Sequence, residues 1–311
     1  MSNISMAGPK RRCSVCGEDD PAYLFRPPQS PGPVVSCKKC GFVYVNPIET
    51  TQALIQEGSV LGGRPAYLLE SSNLDDIDGS WEQPIIEGYL HESPAKRVNA
   101  QDALRHIGNL TASHGRLLDI GCFCGLFLSV ASQAGWECDG IEPLVMPAIY
   151  ARGHFGLRVV TDTLRDDTYP QEFFDVVTCF QVFEHLINPD QEIQRIRRIL
   201  KADGLLVIEV PNIDTCLVKL VGPRHRHFVQ DHVSFFSAKT LTLLLNQMGF
   251  QVKGTYYPTR VISVQHLIWW MGKLGGSLFG KNLNHTLPRW FLEKHIRVSF
   301  RDIVTVLAKK V

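Results

Sequence analysis

From residue 116 onward, short apolar runs alternate with amphipathic ones, and each change of rhythm falls on a turn signal. Arg116–Ile120 reads as a strand stopped by Gly121, and Leu126–Ala134 has helical spacing and stops at Gly135. Trp136–Ile141 is a second strand, followed by a helix around Val145–Arg152, and Leu157–Val160 is a third strand. Phe174–Thr178 is the fourth. The helix Asp190–Leu200, with Ile193, Ile196 and Leu200 on one face, then ends in the turn Lys201-Ala202-Asp203-Gly204. Leu205–Val210 is the fifth strand, Ala238–Met248 a helix, and Phe250–Tyr256 and Asp302–Ala308 are further strands. Strands separated by one helix each pair in parallel through crossovers. The pattern therefore predicts an α/β, doubly wound, Rossmann-like sheet covered on both faces.

Such sheets bind ligands beyond the carboxyl ends of their strands, beside the first one. The loop there is Asp119-Ile120-Gly121-Cys122-Phe123-Cys124-Gly125. Gly121 stands where the chain must turn sharply, and Gly125 where the next helix starts close to the strand. Glu142 ends the second strand, placed to accept hydrogen bonds from both hydroxyls of a ribose. A dinucleotide site needs glycine at the positions that Phe123 and Leu126 occupy, because backbone must approach a pyrophosphate. An adenosyl ligand without phosphates fits the loop better.

The segments LLDIGCFCGLFL, GIEP, FFDVVTCFQVFEHLINP, IRRILKADGLLVIEVPN and DHVSFFSAKTLTLLLNQMGF, in that order over roughly residues 96–257, resemble the class I methyltransferases that use S-adenosylmethionine (SAM). The resemblance implies a seven-stranded, mostly parallel sheet with an antiparallel last strand. It implies methyl transfer, with S-adenosylhomocysteine as the product. It places Asp119, Gly121 and Gly125 at the methionine end of SAM, Glu142 at the ribose, and Asp162 with Thr163 near the adenine. Gln181 falls by the methionine moiety. Phe123 departs from the glycine usual in this loop.

A hydroxyl or acidic-carbon acceptor needs a base with a pKa near neutrality, which points to histidine. Two candidates lie beyond strand ends. His185 follows Glu184 after the fourth strand, where a loop-fixing role competes with catalysis. His232 follows Asp231 in the long stretch 212–236 after the fifth strand and is the favoured base. A metal site at His225, His227 and Asp231 is the minor alternative. Tyr89, shortly before the sheet begins, is a candidate cover for the cofactor or an ordinary packed surface residue.

The N-terminal segment is short, rich in proline and glycine, and cannot bury much surface, so it needs a staple. Cys13-x2-Cys16 and Cys37-x2-Cys40 supply four thiolates in two turns, each followed by a glycine (Gly17, Gly41). Four cysteines complete a tetrahedral Zn²⁺ sphere, so the metal is expected to be structural. The stretch CGFVYVNP also resembles the zinc-ribbon start of some methyltransferases of this class, sugar methyltransferases among them. With nine cysteines in total, an odd number, the other five read as small buried hydrophobes in a reducing, cytoplasmic chain.

The expected organisation is a zinc ribbon at 1–47, a partly helical connecting or lid segment at 48–95, and the SAM-dependent domain at 96–311. Within that domain, 212–236 and 258–298 form an acceptor-side loop and an insertion. The expected function is O- or C-methylation of a small-molecule or sugar-containing acceptor, with His-assisted deprotonation. A net charge of +1 and the lack of a basic stripe argue against nucleic acid. Arg11, Arg12, Lys38 and Lys39 keep open an RNA- or protein-modifying enzyme that grips its polymer through the ribbon. A non-catalytic binding protein is the third reading, with Phe123 as its hint. No apolar run is long enough to span a bilayer. The stretch Val264–Phe279, with Trp269 and Trp270, suggests a lid, a homodimer face or a peripheral membrane contact.

Overall fold

A computed structural model describes residues 10–28, 30–48, 60–61, 64–65, 83–265, 267–268 and 287–311. Trp269, Trp270 and most of the stretch expected to form a lid or contact face lie outside the described residues. In chain order the strands are Pro21–Phe25 (β1), Val34–Cys37 (β2), Val43–Val45 (β3), Val60–Leu61 (β4), Arg64–Pro65 (β5), Arg116–Ile120 (β6), Glu137–Ile141 (β7) and Arg158–Val160 (β8). Then come Phe174–Phe180 (β9), Leu200–Pro211 (β10), Ser234–Phe235 (β11), Phe250–Tyr256 (β12), Arg260–Ser263 (β13), His295–Val298 (β14) and Ile303–Lys310 (β15). The helices are Gln83–His91 (α1), Ser93–Gly108 (α2), Leu126–Gln133 (α3), Val145–Phe155 (α4), Pro189–Ile199 (α5), Cys216–Val221 (α6), Ala238–Gln247 (α7) and Arg289–Leu292 (α8).

The central sheet has seven strands in the order β12-β15-β10-β9-β6-β7-β8. The pairs β10–β9, β9–β6, β6–β7 and β7–β8 are parallel, and β15 runs antiparallel to both of its neighbours. Because side chains alternate across a strand, the central strands feed two cores. Leu118, Val177, Leu206 and Ile208 pack on one face with Ile193, Ile196 and Leu241 from α5 and α7. Leu117, Val176, Leu205 and Val207 pack on the other with Ile107, Leu128, Ala148 and Ala151 from α2, α3 and α4.

Local sequence explains where these helices begin and end. Helix α5 has proline in its first turn, Asp190 and Glu192 near its N-terminus and Arg197 and Arg198 near its end, all matched to the helix dipole. Helix α7 starts from a capping box in which Ser237 and Thr240 satisfy each other's backbone N–H groups.

The ribbon is not a closed unit. Strands β1, β2 and β3 form an antiparallel sheet whose fourth strand, β11, comes from the stretch 212–236, with Ser234 opposite Tyr44 and Phe235 opposite Val43. That stretch also holds helix α6, so it is not a simple acceptor-side loop. Phe42 stacks on Tyr44 and lies 4.9 Å from Phe236, which carries the ribbon's apolar face into the core under the central sheet. Of the five scattered cysteines, Cys122, Cys124, Cys138 and Cys179 are buried as expected. Cys216 is exposed, because α6 turns it outward.

Candidate functional site

The carboxyl ends of β6, β7 and β9 open into a cavity of about 1400 Å³. Its wall includes Asp119, Gly121, Glu142, Asp162, Thr163 and Gln181. Gly125 does not line it. That glycine has φ 74° at the start of α3, and a Cβ there would fall 2.6 Å from Leu157 and 2.9 Å from Ala151, so its bareness lets α3 start close against α4 and the residue before β8. Gly121, with φ 73°, turns the chain where a Cβ would come within 2.5 Å of Val182.

Each acidic group is held by a defined donor. The Thr178 hydroxyl donates to Asp119 Oδ1 at 2.6 Å. Burial pushes the Asp119 pKa up to about 7, opposed by the Thr178 hydrogen bond and reinforced by the charge of Glu142. Glu142 is oriented by backbone: Phe123 N–H donates to Oε2 at 2.7 Å and Leu144 N–H to Oε1 at 2.9 Å. Phe123 adopts φ 47°, so the loop keeps a left-handed turn at the position where glycine is usual. Asp162 Oδ1 accepts from Thr163 N–H at 2.7 Å and pairs with Arg165. Gln181, with φ 59°, donates from Nε2 to Glu209 Oε1 at 3.3 Å. Arg260 donates to the same oxygen, and Thr305 donates to Glu209 Oε2 at 3.0 Å.

The two histidines stand side by side, with ring centroids 4.8 Å apart. His185 lines the cavity together with Asp231, whereas His232 does not. Asp231 meets His185 rather than the adjacent His232: its backbone carbonyl accepts from His185 Nδ1 at 2.9 Å. His232 Nδ1 donates to the His227 carbonyl, also at 2.9 Å. A carbonyl only accepts, so both rings carry their proton on Nδ1 and present an unprotonated Nε2. Burial lowers the pKa of both, that of His232 to about 3, with the neighbouring His185 adding to the effect.

Two sets of side chains among the described residues could hold a metal ion. In the ribbon, Cys13 and Cys40 Sγ are 3.5 Å apart, as are Cys16 and Cys37 Sγ, and all four sulfurs lie within 4.8 Å of one another. Tetrahedral Zn–S bonds of about 2.3 Å require sulfurs about 3.8 Å apart, so the set fits zinc. Gly17 and Gly41, at φ 73° and 78°, bring their N–H groups back to the Cys13 and Cys37 carbonyls. The second set is Glu184, His185 and His232. The grouping of His225, His227 and Asp231, the minor alternative for a metal site, does not come together among the described residues. The His225 and His227 rings meet edge to face in a buried position, and Asp231 turns to the cavity.

Tyr89, on α1, lines the cavity and packs its ring against Phe123 at 4.8 Å. Two further cavity features had no clear mark in the sequence. Lys96, on α2, lies 4.3 Å over the Tyr89 ring, and burial with the nearby Arg260 lowers its pKa to about 8. Glu209 gathers Gln181, Arg260 and Thr305 from three separate segments. A lysine on an amphipathic helix reads as a solvated residue, and the charge pair at Glu209 spans 51 residues, beyond any local pattern.

Comparisons with known proteins give the chain's relatives. The methyltransferase-domain family matches residues 91–253. An enzyme named ubiquinone biosynthesis O-methyltransferase from Bradyrhizobium diazoefficiens is 27% identical over 42% of this chain and 51% of its own length. One of the same name from Azoarcus sp. is 26% identical over 59% of this chain and 82% of its own length. The chain thus spans about half the length of the first relative and more of the second. A solved SAM-dependent methyltransferase from Archaeoglobus fulgidus is 20% identical, with a TM-score of 0.48, over 71% of this chain and 99% of that one.

Proposed function

The chain belongs to the class I SAM-dependent methyltransferase family, and from that premise we propose that it carries the methyl group of SAM to a hydroxyl oxygen of a small molecule. The observation that carries this reading is Glu142. Its carboxylate stands at the end of β7, in the cavity wall, with both oxygens aimed by the N–H groups of Phe123 and Leu144. A carboxylate fixed in this way suits the vicinal hydroxyls of a ribose. Asp119, one strand away, suits the ammonium of the methionine end, with Gln181 beside it. Asp162 and Thr163 suit the adenine edge. The O-methyltransferase names of the relatives support oxygen as the acceptor atom.

Bound there, SAM supplies an electrophilic methyl on a sulfonium. The chain aligns acceptor oxygen, carbon and sulfur, an ordering worth on the order of 7–11 kcal/mol. His185 takes the acceptor proton on Nε2 as the new C–O bond forms and the S–C bond breaks, leaving neutral S-adenosylhomocysteine. We prefer His185 to His232 for this step because His185 reaches the cavity. His232 packs behind it and holds its ring. The four-cysteine set of the ribbon carries a structural Zn²⁺.

Calorimetry with S-adenosylhomocysteine, followed by turnover on a panel of phenols and other hydroxylated small molecules, tests the proposal. Binding in the micromolar range and methyl ethers as products are expected. Failure to bind at millimolar ligand sinks it. Binding with transfer only to nitrogen or carbon removes the oxygen assignment.

A further inference from the structure

Arg11 lies two residues before the first ribbon cysteine, and its side chain reaches out of the ribbon. Nε donates to the Val45 carbonyl of β3 at 3.1 Å, Nη2 to the Val233 carbonyl at 2.6 Å, and Nη1 to the Ile187 carbonyl. Val233 follows His232, and Ile187 is two residues past His185. One planar fork therefore fixes three separate segments, two of which carry the histidines. An ammonium group carries its donors on a single atom and does not reproduce this planar fork.

The fork is itself anchored. Arg11 N–H donates to Asn46 Oδ1 at 3.0 Å, Asn46 Nδ2 returns a bond to the Arg11 carbonyl at 3.1 Å, and the guanidinium lies 4.9 Å over the Tyr44 ring. Val45 N–H also donates to the Val233 carbonyl, at 3.0 Å. On the far side the two histidine segments are joined directly. Val233 N–H donates to the Glu184 carbonyl at 2.9 Å, and Ser234 Oγ to the Leu186 carbonyl at 2.7 Å. His185 Nδ1 closes the set on the Asp231 carbonyl.

We propose that Arg11 is a positioning residue that locks the segments bearing His185 and His232 to the zinc ribbon. The geometry of the acceptor side then depends on the ribbon, while the cofactor cradle does not. Asp119 and Glu142 are fixed by Thr178, Phe123 and Leu144, all within the sheet domain. The Arg11 donors are thus committed to backbone carbonyls, while Lys38 and Lys39 pair at the surface with Asp20 and Glu18. The proposal rests on reading these two histidines as the acceptor-side pair.

The test uses full-length, zinc-loaded protein labelled with ¹⁵N-histidine. Long-range NMR correlations report the tautomer of each ring, and calorimetry reports S-adenosylhomocysteine affinity. In the unaltered chain both histidines are expected as Nδ1–H tautomers. In Arg11→Met and Arg11→Lys at least one of them should shift to a mixture with the Nε2–H form, while S-adenosylhomocysteine affinity stays within about twofold, as for distant, uncoupled sites. Unchanged tautomers in both variants overturn the proposal. So does a loss of about tenfold or more in S-adenosylhomocysteine affinity, because Arg11 would then hold the whole fold together. If Arg11→Met does not fold, Arg11→Lys alone decides. If the unaltered chain does not bind S-adenosylhomocysteine, the methyl-transfer reading fails, yet the tautomers still judge the coupling.

Discussion

The ribbon and the central sheet hold their halves of the site in different ways. The sheet has helices over both faces of its middle strands, and each of Asp119, Glu142 and Asp162 is aimed by a donor one strand or one loop away. The ribbon has three short strands of its own, borrows a fourth from a segment about 190 residues further along, and relies on four thiolates at its tip. A region that cannot bury enough surface gains stability from a metal and from a neighbour. On the proposed reading, the half of the site that would hold the cofactor is built into the central sheet, whereas the half that would suit the acceptor is tied to the ribbon.

Removing the metal strains that comparison most. Zinc binding to such sites is worth on the order of 10 kcal/mol, so Cys37→Ser or chelation should unfold β1 to β3 and release β11. Hydrogen exchange should show protection lost at Val34–Val45 and Ser234–Phe235 and kept at Leu117–Ile120 and Val176–Cys179. One equivalent of zinc should appear in solution. Collapse of the sheet in step with the ribbon would erase the distinction, and it is the outcome that the shared core around Phe42 and Phe236 works toward.

The same contrast governs what could be read without a structure. Strand β6 and the strands paired to it follow from runs of five to seven residues, and Asp119, Gly121 and Glu142 sit at the ends of those runs, where a local pattern points directly to them. The four cysteines are legible for the same reason, since each pair spans four residues. The β3–β11 pairing was hidden, because Ser234–Phe235 has no periodicity and its partner is remote in sequence. Arg11 was hidden too. A basic residue beside a zinc ribbon suggests phosphate, and only the fold shows that its donors meet carbonyls. Adjacency in sequence left open whether Asp231 meets His232, and the fold answers it: the Asp231 carbonyl turns to His185.

A smaller change probes the sheet side alone. Glu142→Ala removes an acceptor held by two N–H groups and should weaken S-adenosylhomocysteine binding by about 30–150-fold, as expected for a charged hydrogen-bonding group worth about 2–3 kcal/mol. Zinc content and the His185 and His232 tautomers should not move. If they do, the two halves are coupled more tightly than the separate sets of hydrogen bonds imply.

Proton linkage at Asp119 gives the mildest effect and the finest resolution. Its carboxyl normally titrates near 3.8, and burial lifts it to about 7, against the Thr178 hydrogen bond and with help from Glu142. The folded chain holds this proton more tightly than the unfolded one. The resulting stability is complete below about pH 4 and fades as pH climbs through 7. Cofactor binding should run the other way, because the methionine ammonium needs the carboxylate ionised. Affinity for S-adenosylhomocysteine should rise between pH 6 and pH 8 by no more than about tenfold per unit. Asp119→Asn should bind weakly with a flat profile over that range. Since Asp119 lies in the sheet and not in the ribbon, zinc removal should leave the midpoint of this titration where it was. A midpoint that moves with the metal would show the ribbon reaching into the cradle after all.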